Sequence, residues 1–144
     1  EIFDSVPSGT IGGTFCGNAV ACAAALKVID VMQRDKLCAR AAEIGKKCFA
    51  KFEEWKEKYE VVGDVRGIGA VIGIEFVTDK KSKTPDPELV NKLISECISN
   101  GLIIENAGTY GNVIRFLAPL VITDEQLEAG FNILESAIKA CSTI

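Results

Sequence analysis

Between residues 18 and 32 the chain carries charge only at Lys27 and Asp30, and nearly every other position is alanine, valine, cysteine or another apolar residue. Asn18 is a suitable N-cap for a helix over this stretch, since its side-chain oxygen can accept from an otherwise unsatisfied N–H of the first turn. A helix apolar on almost every side cannot lie on a surface with one face packed; it needs cover over most of its circumference. A 144-residue domain can supply one such face. The remainder is therefore expected to meet protein outside this chain, or a partner subunit. Glu1-Ile2-Phe3-Asp4 begins without methionine and reads like the interior of a longer chain. Together these features predict a fragment.

Residues 1–17 hold Pro7, Gly9, Gly12, Gly13 and Gly17, too much punctuation for regular structure, and predict an irregular lead-in. Residues 36–59 place Leu37, Ala41, Ile44, Cys48, Phe52, Trp55 and Tyr59 at helical spacing among Lys and Glu, which predicts a long amphipathic helix with its aromatic stripe in the core. The period then falls to two. Val61-Val62 leads through Gly63 into residues 70–77, predicting two strands joined tightly around residues 67–69. Residues 79–87 are polar with two prolines and read as an exposed loop, and residues 88–99 as a third helix stopped by Asn100-Gly101. Residues 102–105 and 113–117 predict two short strands separated by a turn-rich loop over 106–112. Thr123 and Gln126 form a capping box ahead of a last helix through Leu127, Phe131, Leu134, Ile138 and Cys141. Helices over 18–59 followed by an α+β part over 60–144 predict an α+β fold, a small mostly antiparallel sheet covered by helices and preceded by a long helix.

A net charge of −4 with mixed signs offers no basic stripe for nucleic acid or anionic lipid, and neither is an expected partner. Six cysteines stand at 16, 22, 38, 48, 97 and 141 without a Cys-x-x-Cys pair, and the chain has no histidine to complete a mixed zinc site. No metal is expected. Free thiols, no signal peptide and no long apolar span predict a reducing, cytoplasmic setting. Without histidine, catalysis has to run on carboxylate, lysine, cysteine or tyrosine.

Two places carry chemistry. Gly12-Gly13-Thr14-Phe15-Cys16-Gly17-Asn18 ends at a helix start, where open backbone N–H groups, the positive end of a helix dipole and the Thr14 hydroxyl suit an anion; the same glycines also serve as plain turn residues. The run lacks a P-loop's Gly-Lys-Ser/Thr ending. Cys16 beside it has no evident base to make it a nucleophile. The second place is Arg115, whose neighbours Val113, Ile114, Phe116 and Leu117 predict a largely buried strand. A buried guanidinium needs a carboxylate partner, either Glu75 or Glu105 in a structural ion pair or the carboxylate of a substrate held bidentately. Lys27, Lys46, Lys47, Lys92 and Lys139 all lie on helical faces, in no context that lowers a lysine pKa.

Three elements in order, Gly12-Gly13-Thr14-Phe15-x-Gly17-Asn18 before an alanine-rich helix, Val65-Arg66-Gly67-Ile68-Gly69 before a strand, and residues 108–120 around Asn112-Val113-Ile114-Arg115, resemble the C-terminal part of class III pyridoxal-phosphate-dependent aminotransferases, over essentially the whole chain. The resemblance implies a fold-type I transferase, homodimeric in full length, with pyridoxal 5'-phosphate as cofactor. Gly13 and Thr14 would hold the cofactor phosphate of the neighbouring subunit, and Arg115 the substrate carboxylate. The Gly-Thr-Tyr-Gly-Asn loop is similar to that of members acting on 4-aminobutyrate rather than ornithine derivatives, with a keto acid such as 2-oxoglutarate as acceptor. The family's Schiff-base lysine precedes the Gly-Gly-Thr motif by about thirty residues and would lie before Glu1, so this fragment alone is expected to be inactive. The other readings are a stand-alone small-molecule binding or regulatory module, and a dimerisation module with Arg115 in a structural ion pair.

Overall fold

The computed structural model describes residues 3–7, 9–10 and 12–142; the interior-of-chain reading of Glu1 and Ile2, and the parts of the expected lead-in at Ser8 and Ile11, lie outside the described residues. The chain forms two compact units, Glu1–Leu37 and Cys38–Ile144.

In the first unit a single 3-10 turn at Phe3–Ser5 interrupts the expected irregular lead-in. A tight turn follows, in which the Cys16 N–H donates to the Gly13 carbonyl at 3.1 Å. Helix α1 covers Ala19–Arg34, and Asn18 caps it as expected, its Oδ1 accepting from the Ala21 N–H at 3.0 Å. Not one α1 residue is buried: Val20, Leu26 and Val28 are 78%, 64% and 57% exposed. The sequence therefore builds a helix whose apolar surface its own compact unit does not cover.

The second unit is a four-stranded antiparallel sheet with helices on one face. Helix α2 (Leu37–Lys58) turns Ile44, Cys48, Phe52 and Trp55 into the core. Strands β1 (Val62–Ile68) and β2 (Val71–Phe76) form a hairpin around Gly69-Ala70, where Gly69 takes φ +53°, a left-handed geometry that favours glycine. Helix α3 (Pro87–Ser99) starts with proline in its first turn under an Asp86 cap, whose Oδ1 accepts from the Leu89 N–H at 2.9 Å. Strand β3 is Glu105–Ala107, β4 is Val113–Leu117, and helix α4 (Asp124–Cys141) opens on the expected capping box of Thr123 and Gln126. The sheet order is β1-β2-β4-β3, every pair antiparallel.

One strand differs from expectation. The apolar run Leu102-Ile103-Ile104 is unpaired, and β3 instead uses the poor strand formers Glu105, Asn106 and Ala107. Pairing with β4 fixes that choice, because the turn through Gly108 and Gly111, with φ of +82° and +65°, returns the chain so that Glu105, Asn106 and Ala107 face Arg115, Ile114 and Val113. The displaced apolar residues still serve the core: Ile104 is buried, and Leu102 packs against it.

Strand alternation sorts the two sheet faces. Ile72, Ile74, Phe76, Ile114 and Phe116 point to the helices, where Phe52 lies with its ring centroid 5.1 Å from that of Trp55, 5.3 Å from Phe116 and 5.5 Å from Phe131. A bulge at residues 62–64 shifts the register at the outer end of β1. The opposite face has no helix of this unit across it, and it carries the charged side chains of the site.

Candidate functional site

Cross-strand register places Arg66 of β1, Gly73 of β2, Arg115 of β4 and Glu105 of β3 in one row across the open face. Adjacent strands lie about 4.8 Å apart, so this row holds two guanidinium stems either side of a glycine that has no side chain. Arg115 is not buried as its apolar neighbours predict; its side chain is 49% exposed. The reason is the period of two: Ile114 and Phe116 take the inward positions, leaving Arg115 and Leu117 to point away.

Of the two candidate partners for Arg115, Glu105 is the one it meets, with Nη2 donating to Oε2 at 2.7 Å. Glu75 stands one row away, opposite Val113 and Asp64, and accepts instead from Arg66 Nη1 at 2.6 Å. Arg66 also donates to Asp64 at 3.2 Å, and its pKa is raised first by the Glu75 hydrogen bond. Sequence reading passed over Arg66 as a site candidate; the hairpin turn at Gly69-Ala70, with alternation along β1, is the signal that puts it level with Arg115.

A cavity of about 270 Å³ lies at the β3–β4 edge between the sheet and the start of α4; Glu105 and Arg115 are at its margin, while Leu102, Ile104, Phe116 and Leu127 form its apolar wall on the side of β4 opposite to the Arg115 side chain. Loop 108–112 is tied to the sheet at its end. Asn112 is 3% exposed, its Nδ2 donates to the Phe76 carbonyl at 2.9 Å, and its own carbonyl accepts from the Phe76 N–H at 2.8 Å. Asn112 thus fixes where β4 begins, two residues short of the arginine, and carries a positioning role that the turn-rich composition alone did not reveal.

Thr14 and Gly13 belong to the other compact unit, both exposed, on the turn that leads to α1. An added Cβ at Gly12 would meet nothing within 4 Å, and one at Gly13 would touch the Cys16 Sγ at 3.4 Å, so the backbone is open at Gly12. A hydroxyl, an open glycine backbone and the N-terminal end of a 16-residue helix form a donor set suited to phosphate. Lys56 and Lys58 are held more basic than usual, Lys58 at about 12, first by hydrogen bonds to Asp64 and Glu135 respectively. Cys48 and Cys97 are buried thiols pushed up to about 12 and about 11 by burial, the opposite of a reactive thiolate. Among the described residues no helix is long and apolar enough to cross a membrane.

The second unit thus presents an accessible arginine on the open face of a helix-backed antiparallel sheet, and the first a glycine-bearing turn at a helix start. The aminotransferase class-III family matches residues 1–138, and the chain belongs to it. It is 41% identical over 140 residues to a probable 4-aminobutyrate aminotransferase of Bacillus subtilis, covering 97% of this chain and 32% of that protein. Against a 5-aminovalerate aminotransferase of Pseudomonas aeruginosa it is 43% identical over 134 residues, covering 93% and 32%. The solved structure of an amine transaminase from an uncultivated Pseudomonas species, in its PLP-bound form, superposes with a TM-score of 0.80 at 31% identity, over 93% of this chain and 30% of that one. The chain thus spans about a third of the length of the curated relatives it matches.

Proposed function

We propose that this chain is the C-terminal portion of a pyridoxal-phosphate-dependent aminotransferase that moves an amino group from 4-aminobutyrate, or an omega-amino acid of similar length, to 2-oxoglutarate in the cytoplasm. The observation that carries the reading is Arg115, solvent-accessible on the open sheet face beside a cavity and anchored in register by β3 and by Asn112. An omega-amino acid bears its carboxylate at the end remote from its amine. Arg115 can take that carboxylate on its planar fork and fix the direction in which the amine points. The acceptor presents the same chemical group, so one arginine serves both half-reactions.

Gly13 and Thr14, with the N-terminus of α1, would hold the cofactor phosphate of a neighbouring subunit. Pyridoxal phosphate, when bound, supplies the electron sink that lets an amino group leave one carbon and join another. The lysine that bonds the cofactor lies, on this reading, in a preceding part of the enzyme, and the fragment alone is inactive. The uncovered apolar surface of α1 fits a helix made to pack against that preceding part or against a second subunit.

The Arg115–Glu105 pair also favours a second reading, a dimerisation module in which Arg115 is structural. Exposures of 49% and 70% weigh against it, since ion pairs this open contribute about 0–1 kcal/mol. The test is to assay the full-length enzyme for glutamate formation from 4-aminobutyrate and 2-oxoglutarate, with and without Arg115→Ala. Removing a charge-assisted bidentate contact is expected to lower kcat/KM on 4-aminobutyrate by about 10–100-fold, a larger loss than on n-butylamine. Absence of transfer from 4-aminobutyrate refutes the substrate, and equal losses on both amines refute the role of Arg115.

A further inference from the structure

Phe76 ends β2 and Asn112 directly precedes β4, one step beyond the rung that pairs Glu75 with Val113. The Phe76 N–H donates to the Asn112 carbonyl at 2.8 Å, as a ladder rung would. A second bond comes from a side chain: the Asn112 carboxamide donates to the Phe76 carbonyl, Nδ2 to oxygen at 2.9 Å. That same carbonyl accepts from the N–H of Asp86, the cap of α3, at 3.2 Å. Gly111 brings the chain in against this helix, a Cβ added to it lying 3.8 Å from Pro87 Cβ. One buried amide therefore joins the end of β2, the start of β4 and the start of α3. With Ile114 and Phe116 it takes the helix side of the sheet, the face opposite to Arg115. All of these groups lie within the unit Cys38–Ile144, so the contacts do not depend on any surface that further protein covers.

We infer that Asn112 is a positioning residue for carboxylate recognition: from the helix side of the sheet, its carboxamide clamps the end of the strand that carries Arg115 on the other side. This rests on the reading of Arg115 as the carboxylate receptor. The need for a clamp lies in the sequence. The chain enters β4 through Gly108 and Gly111, both in left-handed backbone, where glycine leaves the main chain free to move. Strand β4 is five residues long and Arg115 is its middle residue, so opening of two residues from the loop end reaches the arginine. A guanidinium grips a carboxylate by two parallel hydrogen bonds, and such a site has to be held within about 0.5 Å of its working geometry. Fraying that the fold survives is enough to spoil that grip. Loss of the Asn112 carboxamide leaves the Phe76 carbonyl still paired with Asp86, so no buried acceptor is orphaned there and the unit stays folded. What is lost is the tie between β4 and the two elements that locate it.

The experiment uses the full-length holoenzyme and valerate, an unreactive monocarboxylate, with binding read by calorimetry and valeramide as the uncharged comparison. Asn112→Ala is expected to weaken valerate binding by about 3–10-fold and to leave valeramide unchanged. The KM for 4-aminobutyrate is expected to rise by a similar factor with kcat within about twofold, and the melting temperature to fall by less than about 4 °C. Thr123→Ala, which loosens the same unit far from β4, serves as the control and is expected to leave valerate binding within about 1.5-fold of the parent. In an Arg115→Ala background, Asn112→Ala is expected to have no further effect on valerate. Asn112→Ser keeps a donor on a shorter stem; it is expected to weaken binding by about 2–3-fold and carries the same test should the alanine variant not fold. If Arg115→Ala weakens valerate binding but Asn112→Ala and Asn112→Ser do not, the positioning role is overturned while the carboxylate receptor stands. Equal weakening of valeramide, an equal effect of Thr123→Ala, or a loss that persists without Arg115 also overturns it, because the carboxamide would then act through the fold at large. If Arg115→Ala leaves valerate binding unchanged, the receptor reading fails and the positioning role fails with it.

Discussion

Glu135 on α4 is a carboxylate only 8% exposed, and it gathers the lysines around it. Lys58 donates at 2.7 Å and the Tyr59 hydroxyl at 2.9 Å, both from the C-terminal end of α2 or just past it, while Lys139 and Lys51 approach within 3.5 Å and 3.8 Å. The Lys58 hydrogen bond leads in holding its pKa down at about 2, with Tyr59, Lys139 and Lys51 adding, against a burial that pushes the other way. Lys58 rises less, to about 12, because it is nearly half exposed and answers mainly to one carboxylate where Glu135 answers to several cations. A fall from 4.5 to about 2 corresponds to roughly 3 kcal/mol at 1.36 kcal/mol per pH unit. Solvent screening of the lysines, 28–55% exposed, reduces this to about 2 kcal/mol. Because the folded pKa lies below the unfolded one, the unfolded chain binds more protons between the two values. The contribution is therefore full above about pH 4.5 and lost as pH falls towards 2, with roughly 40% remaining at pH 3. Glu135→Gln keeps an acceptor for Tyr59 and removes only the charge. In urea unfolding of this chain followed by the fluorescence of Trp55, its only tryptophan, the variant is expected to be less stable by about 2 kcal/mol at pH 7 and by less than about 1 kcal/mol at pH 3. A deficit that is the same at both pH values refutes the electrostatic account, and one below about 0.5 kcal/mol at pH 7 refutes the magnitude.

Gly45→Ala, which in an exposed helix stabilises by up to about 1 kcal/mol, is expected here to destabilise by more than about 2 kcal/mol, because the new Cβ would lie 2.3 Å from the Gly69 carbonyl oxygen of the β1–β2 turn; a melting temperature that rises would show that the hairpin does not rest on α2. Brief treatment with iodoacetamide at pH 8 is expected to modify Cys16, Cys22 and Cys38 and to spare Cys48 and Cys97, buried and held well above the pH of the reaction; mass spectrometry of the peptides reads the pattern, and early labelling of Cys48 would contradict its burial. Thr123→Ala removes the hydroxyl that accepts from the Gln126 N–H at 3.2 Å and is expected to cost about 1 kcal/mol by thermal unfolding; no loss would mean that α4 does not need its capping box.

Helices were legible in the sequence because each signal is local. The caps at Asn18 and Thr123, the stripe from Ile44 to Trp55 and the stop at Asn100-Gly101 depend on residues within a turn or two of one another, and α1 to α4 appear where those signals lie. Strand β3 was not, because its existence depends on a partner ten residues away. Leu102-Ile103-Ile104 has the composition of a strand and Glu105-Asn106-Ala107 does not, yet the turn through Gly108 and Gly111 delivers the second trio to β4 and leaves the first to fill space beside α4. The same non-local cause misplaced Arg115. Four apolar neighbours imply burial only if every residue of a strand faces the core; with one face open, alternation gives every second residue to solvent.

The open face explains why residue type and register have to be taken together at this site. Glu75 and Glu105 are equally plausible partners for Arg115 by charge, and sequence distance favours Glu105 only loosely. Register separates them completely: the β2–β4 pairing puts Gly73, not Glu75, beside Arg115, and the β3–β4 pairing puts Glu105 there. Had the register of β2 slipped by two residues, Glu75 would stand opposite Arg115 between two arginines and pair with both. Gly73 occupies that position instead, with no side chain to compete for the guanidinium. An added Cβ there would come within 3.2 Å of Val113 Cγ1, so larger residues at 73 would press on the strand that carries Arg115. One arginine is closed by two acids and the other is met by a single exposed acid, so of the two guanidinium groups in the row Arg115 is the less committed to its neighbours.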